Sequence, residues 1–255
     1  MSQLGASADD WDQHWEQLSD SGEMNPAQGY RRRLIVSLLG VKAAAPRILD
    51  IGSGQGDLAA LIRRRYPGAS IVGLELSRSG CEVSRRKVPD ARFLQWNLLE
   101  AKPPPEELCG WATNAICSEV LEHVDEPWEL LSNAKSFLAP GCRLVVTVPG
   151  GPMSAFDRHI GHRQHYSRLA LRQLLERSGF QVDGVLGAGF PFHNLYRLAV
   201  IARGERLIKD ASAESNTAAS LPARLLAGAF DVLFRLNLPS SRFGWQMIAV
   251  ARVPQ

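Results

Sequence analysis

Arg47-Ile48-Leu49-Asp50-Ile51-Gly52-Ser53-Gly54-Gln55-Gly56-Asp57 is an apolar run that ends in glycines at three alternate positions. Strand, bare turn and helix start follow one another, the arrangement that lets backbone pass close to a ligand because no side chain stands in the way. Working outward, short apolar runs recur at 70–74, 92–95, 114–117 and 142–148. Between them lie segments with apolar residues three and four apart, such as Leu58, Leu61 and Ile62, and Leu130, Leu131, Ala134 and Leu138. This alternation predicts an α/β fold, a doubly wound and mostly parallel sheet with helices on both faces. Ser167 is placed to cap a helix through Leu171 and Leu175, with Gly179 as its left-handed stop. Strands are expected at 180–186 and at 245–253.

The glycine spacing departs from the dinucleotide fingerprint, in which a third glycine stands where this chain has Asp57. An acid at a helix start opposes a pyrophosphate, so a nicotinamide oxidoreductase is disfavoured and a cofactor with an amine but no phosphate is favoured. S-adenosylmethionine meets that requirement. The next strand ends in Glu75, where a carboxylate at the sheet edge can accept from both ribose hydroxyls. The third is followed by Asn97 and Leu98, an amide and an apolar side chain suited to a purine edge and face.

Asp50 to Gly56, Glu75, Asn97 and the later Cys117-Ser118-Glu119-Val120-Leu121-Glu122-His123-Val124 together resemble the class I S-adenosylmethionine-dependent methyltransferases. The likeness is greatest to the small-molecule methyltransferases of ubiquinone and menaquinone biosynthesis. It continues through Gly161-His162-Arg163-Gln164-His165-Tyr166-Ser167 and covers about residues 45 to 190 with the final strand. The resemblance implies seven strands in the order 3-2-1-4-5-7-6 with strand seven antiparallel. It implies that Asp50, Gly52, Ser53, Gly54 and Gly56 line the methionine and ribose of the cofactor, and that Glu75 holds the ribose hydroxyls. Leu76, Asn97 and Leu98 would flank the adenine, Ser118 would lie near the sulfonium, and S-adenosylhomocysteine would be the product. Many relatives carry Asp where this chain has Asn97.

Methyl transfer to oxygen needs a proton acceptor, and three histidines stand near the predicted sheet edge: His123, His162 and His165. The competing view of His159, His162 and His165 is that they only tie a loop to its helix; a zinc site from these three has no support in the resemblance. Glu119, Glu122 and His123 fall at i, i+3 and i+4 and are expected to face one way if that turn is helical. Some relatives hold a divalent cation with such a set, yet loop ordering is the plainer reading, and no metal is assigned.

The chain divides into N-terminal helices over 1–45 that close over the cofactor, a cofactor-binding domain at 46–195 and 243–255, and a linker with an amphipathic cap at 196–242. Trp15 and Tyr30 are candidates for contact with the sulfonium through their aromatic faces, with plain packing as the alternative. The run Tyr30-Arg31-Arg32-Arg33 reads as a solvated basic face. Residues 209–220 read as a mobile linker and 221–238 as a helix, with Leu226, Phe230 and Phe234 on its apolar side. That helix packs on the sheet or a partner, caps the pocket, or rests on a membrane surface. Phe190, Pro191, Phe192, His193 and Asn194 are expected to wall an apolar or aromatic acceptor.

Of the 255 residues, 29 are Lys or Arg and 26 Asp or Glu, a net charge of +3 with no dense basic stripe. This speaks against nucleic acid as acceptor. Four scattered cysteines form no framework or thiolate site, and the first residues show no secretion signal, so a cytoplasmic enzyme is expected. No stretch approaches the ~18 apolar residues of a membrane span. The reading is a methyltransferase for a small, hydrophobic or aromatic acceptor, most simply at oxygen. Nitrogen or carbon methylation and a non-catalytic cofactor-binding module are its rivals, and oligomeric state is left open.

Overall fold

Strand β1 (Arg47–Ile51) is buried from its second residue on, and its neighbouring side chains enter different cores: Ile48 belongs to one hydrophobic cluster, Leu49 and Ile51 to the other. A strand covered on both faces needs apolar residues at every position, which is why these strands read as continuous runs. The computed structural model describes residues 25–212 and 221–255. With β1, strands β2 (Ser70–Glu75), β3 (Arg92–Gln95), β4 (Ala112–Ser118), β5 (Leu138–Pro149), β6 (Gln181–Ala188) and β7 (Gln246–Arg252) form one sheet in the order β3-β2-β1-β4-β5-β7-β6. Strand β7 runs antiparallel to both its neighbours. The expected topology is the observed one.

Helices α1 (Pro26–Leu38), α2 (Asp57–Arg65), α3 (Arg78–Lys87), α4 (Pro127–Ala134), α5 (Ala155–His159), α6 (Arg168–Arg177), α7 (Phe192–Ser212) and α8 (Leu221–Phe234) surround it. The cap of α6 forms as the sequence indicates, with Ser167 Oγ accepting from the Ala170 amide at 3.1 Å and Gly179 at φ +79°. Asn25 starts α1 by accepting from the Ala27 amide at 3.0 Å, followed by a proline in the first turn.

Two expectations about the helices change. The basic run in α1 is only in part a solvated face: Arg31 pairs with Glu119 at 3.1 Å and Arg32 with Asp57 at 2.9 Å, while Arg33 stays exposed and reaches Asp231 at 2.9 Å. Three consecutive arginines point about 100° apart on a helix, so each reaches a different element. The second change is α7. It begins at Phe192 and continues to Ser212 across a kink at Gly204, taking in the start of the segment read as a linker. Residues 213–220 lie outside the described residues, as do Trp15 and the rest of 1–24. Helix α7 was hidden because its apolar residues are not confined to one side. Tyr196 packs inward among aromatics, while Leu195 and Leu198 are exposed.

Candidate active site

Apart from Tyr30 in α1, the sequence-derived candidates that are described stand at or just after the carboxyl ends of strands, where a doubly wound sheet leaves a crevice. After β1, Gly52, Gly54 and Gly56 take φ of +70°, +54° and +76°, a region costly for any residue with a Cβ. Their bareness has a second cause that the sequence did not reveal. A Cβ on Gly52 would stand 2.4 Å from Val120 Cγ2, and one on Gly56 would stand 3.0 Å from Ser84 of α3. Protein, not open ligand space, occupies those two directions. Gly56 serves as the N-cap of α2 and lets α3 approach.

Gly54 is held from both sides. Its amide donates to Glu75 Oε2 at 2.7 Å, and its carbonyl accepts from Ser84 Oγ at 2.9 Å. The other Glu75 oxygen accepts from the Ser77 amide at 2.9 Å. Glu75 therefore clamps the glycine turn to the end of β2. Asp57 is paired with Arg32 and Lys87. Its charge is thus neutralised in the fold, and Asp57 repels an anion less than its sequence position implies.

Asp50 is 2% exposed, and its Oδ2 has no hydrogen-bond partner. Burial first, then the neighbouring Glu75 charge, pushes its carboxyl up to about 7. Ser53 Oγ beside it is also buried without a partner. Leu76 is exposed at the rim and Leu98 is buried. Asn97 does not present a free amide: its Oδ1 accepts from the Leu99 amide at 3.0 Å and its Nδ2 donates to Glu100 at 3.0 Å. It orders its own turn, as Asn commonly does after a strand.

Beyond β4, Ser118 Oγ lies 2.9 Å from Thr147 Oγ1. Glu119, Glu122 and His123 do not share a helical face. Glu119 adopts φ +55° while its amide still donates to Thr147 of β5, and only Leu121–His123 forms a 3-10 turn. Glu119 is engaged by Arg31 and by the Gln246 amide at 3.0 Å. Glu122 is fully buried with neither carboxyl oxygen hydrogen-bonded, and a carboxyl oxygen of it and a ring nitrogen each of His123 and His162 lie within 4.8 Å of one another. Its burial, with Glu119 nearby, pushes its carboxyl well above the usual range.

The three candidate bases come together although 42 positions of sequence separate His123 from His165. His123 meets His162 edge-on at 4.7 Å between ring centres, and His162 Nδ1 lies 3.2 Å from His165 Nε2. His159 is turned to solvent, so the third imidazole of the cluster is His123. Burial is the first cause that lowers both His162, to about 4, and His165. Asp157 lies beneath them, an acid missed by sequence reasoning; the capping box Ser154–Asp157 was its only local signal. Two oxygens of Asp157 accept from Arg197 at 3.0 and 2.8 Å, and Ser154 donates to it through both its amide and its hydroxyl.

An open cleft of about 790 Å³ begins at His165 and is lined on its apolar side by Phe190, Phe243, Trp245 and Met247. Of the predicted wall, Phe190 and Asn194 face this cleft. His193 is buried instead against Tyr30, with ring centres 5.7 Å apart, and burial pushes it down to about 3. Phe192 packs with Tyr30, Ala27 and Phe234. Tyr30 itself is buried against Phe234 at 5.5 Å, so the structure places its ring in an aromatic core rather than at the glycine turn.

This sheet order, with a glycine turn clamped by an acid from the next strand, defines the class I methyltransferase fold. A methyltransferase-domain family model matches residues 26–185, and the chain belongs to that family. It is 32% identical over 142 residues to the demethylmenaquinone methyltransferase of Thermus thermophilus, covering 55% of this chain and 62% of the relative. It is 35% identical over 109 residues to a trans-aconitate 2-methyltransferase of Methylobacterium nodulans, covering 42% and 40%. The chain thus matches less than two thirds of the length of these relatives. Among solved structures, phosphoethanolamine N-methyltransferase 2 of Haemonchus contortus, in complex with S-adenosyl-L-methionine, superposes with a TM-score of 0.62 at 16% identity. That match covers 98% of this chain and 61% of the other. No helix among the described residues is long and apolar enough to cross a membrane.

Proposed function

We propose that this chain transfers a methyl group from S-adenosylmethionine to a small, largely apolar acceptor, with oxygen as the receiving atom. The observation that carries the reading is Asp50: a buried carboxyl with an unpartnered oxygen, beside the partnerless Ser53 hydroxyl, at the base of a glycine turn. A buried carboxylate is costly until a cation meets it. The ammonium of the donor's methionyl group is such a cation, and it brings donors to the orphaned oxygen. Gly52, Ser53, Gly54 and Gly56 shape the turn around that end, Glu75 at the end of β2 stands at the ribose, and Leu76 and Leu98 enclose the base. Asn97 shapes the loop at the adenine edge, and Ser118 stands nearest the reacting end. Tyr30 supports this wall from behind as the α1 segment closes over the turn.

When bound, the donor supplies a methyl already activated on a sulfonium. What is left to the protein is alignment, exclusion of water and custody of a proton. The cleft beside His165 provides the apolar walls for the acceptor, and Arg168 and Arg242 at its edge give an acceptor with an anionic or polar group one preferred orientation. Burial keeps His162 neutral near pH 7 and pushes His165 in the same direction, and the neutral imidazole is the state that accepts a proton. The two relatives are named for acceptors as different as demethylmenaquinone and trans-aconitate, so the cleft, not the family, is the guide to the acceptor. We place the enzyme in the cytoplasm, with a small molecule rather than nucleic acid as partner.

Isothermal calorimetry with S-adenosylmethionine and with NAD tests the donor; heat with NAD alone overturns the reading. Turnover against a panel of aromatic hydroxy compounds and carboxylic acids tests the acceptor. There, His162→Ala and His165→Ala lower kcat at least about 100-fold if these imidazoles take the proton. Unchanged turnover removes them from the chemistry.

A further inference from the structure

The hydrogen bonds of the histidine pair fix where its protons sit. His165 Nδ1 lies 3.2 Å from the Gly151 carbonyl oxygen, which only accepts. The proton of neutral His165 is therefore on Nδ1, and its Nε2 carries a lone pair. That lone pair faces His162 Nδ1 at 3.2 Å, so His162 donates from Nδ1 and keeps the lone pair on its own Nε2. The free basic nitrogen of the pair belongs to His162.

Asp157 is placed to undo this. Its two oxygens stand 4.0 Å from His162 Nδ1 and 3.9 Å from His165 Nε2, and a carboxylate at that range stabilises an imidazolium. What stands against it is Arg197 of α7, which grips both oxygens in the fork geometry open to a guanidinium and not to an ammonium. The pair is buried on its acid side, with Asp157 at 1% side-chain exposure and Arg197 at 16%.

We propose that Arg197 is a positioning residue that keeps His162 a neutral base with its Nε2 lone pair free, by holding the Asp157 carboxylate that otherwise stabilises a charged imidazole there. The other charges facing the pair come from α1, which contributes Arg31, and from the segment after β4, which contributes Glu119, Glu122 and His123. Glu119 is already matched by Arg31, and burial pushes the Glu122 carboxyl well above the usual range. Among the described residues facing the pair, Asp157 is the acid gripped by a residue of α7. The protonation of Asp157 agrees: burial alone raises it, but the bonds from Arg197 and Ser154 outweigh burial and hold it near 2. Any movement that draws α7 from α5 then also changes the basicity of His162, linking the wall of the acceptor cleft to the proton acceptor.

Long-range proton–nitrogen NMR of the imidazoles tests this in the full chain, without donor or acceptor. The expected wild-type result is Nδ1–H on both His162 and His165, with His162 neutral from pH 5.5 to 8. In Arg197→Met, His162 gains at least about tenfold in proton affinity, one pH unit, the low end of the effect of an uncompensated carboxylate. Arg197→Lys, which keeps the charge but not the fork, restores only part of the wild-type titration, and adding Asp157→Asn to Arg197→Met cancels the gain. A wild-type Nε2–H tautomer on His162, or an unchanged titration in Arg197→Met, overturns the proposal. Should Arg197→Met fail to fold, Asp157→Asn alone decides: it leaves a cation facing His162 and must lower its proton affinity, and a rise sinks the idea. The inference rests on the methyl-transfer reading only for its purpose. Loss of that reading appears in donor calorimetry, whereas loss of this one appears in the titration.

Discussion

Asp50, the carboxyl proposed to meet the donor's ammonium, is expected to couple donor binding to pH. With its carboxyl near 7 in the free protein, it is largely protonated at pH 6 and ionised at pH 8. A cationic ligand prefers the ionised form, so binding expels a proton when the pH is below 7. The sign is therefore fixed: affinity for S-adenosylmethionine rises with pH and levels off above 7, by roughly tenfold per unit on the acid side. Calorimetry in buffers of different ionisation enthalpy measures the released proton directly, and Asp50→Asn abolishes both the release and the slope. Gly54 belongs to the same scale. Gly54→Val forces a β-branched residue to φ +54° in the turn clamped by Glu75 and Ser84, and donor affinity falls at least about tenfold for a strain of 1–3 kcal/mol. Retention of wild-type affinity in that variant removes the turn from the donor site.

At the scale of elements, α1 is fastened by side chains that reach in three directions. Arg31 and Arg32 connect it to Glu119 after β4 and Asp57 at the start of α2, the two segments that flank the glycine turn. Their side chains are only 18% and 25% exposed, so these pairs are better shielded than the usual surface ion pair. Replacing both by Ala is expected to speed amide exchange in 26–38 and to weaken donor binding, with little change in exchange along β1 and β4. Equal acceleration in the strands means the arginines support the whole fold and not a local closure. The helix was legible in the sequence, since Leu34, Ile35, Leu38 and Leu39 have the helical period. Its tethers were not, because a salt bridge across 25, 88 or 198 positions leaves no local pattern.

Across the molecule, α8 joins α1 and α7 through one aromatic knot. Phe234 is 1% exposed and meets Tyr30, His193, Tyr196 and Phe230 with ring centres 5.5 to 5.7 Å apart. Phe234→Ala is expected to cost about 3 kcal/mol in denaturant unfolding. Leu236→Ala, at a position 65% exposed, stays within about 0.5 kcal/mol. A small loss at Phe234 means that α8 packs loosely and does not belong to the cooperative unit. The apolar side read for this helix divides in the fold: Phe230 and Phe234 turn inward, while Leu226 is exposed. Period and composition by themselves determined the sheet, its doubly covered strands, the glycine turn and the cap of α6, because each depends on residues within a few positions of one another. Class resemblance carried the strand order. Tertiary structure alone decided that Gly52 and Gly56 make room for Val120 and Ser84, that His123 replaces His159 in the imidazole cluster, and that Asp157 and Arg197 stand beneath it. Those outcomes depend on distances between segments far apart in the chain, and only packing against the finished sheet sets them.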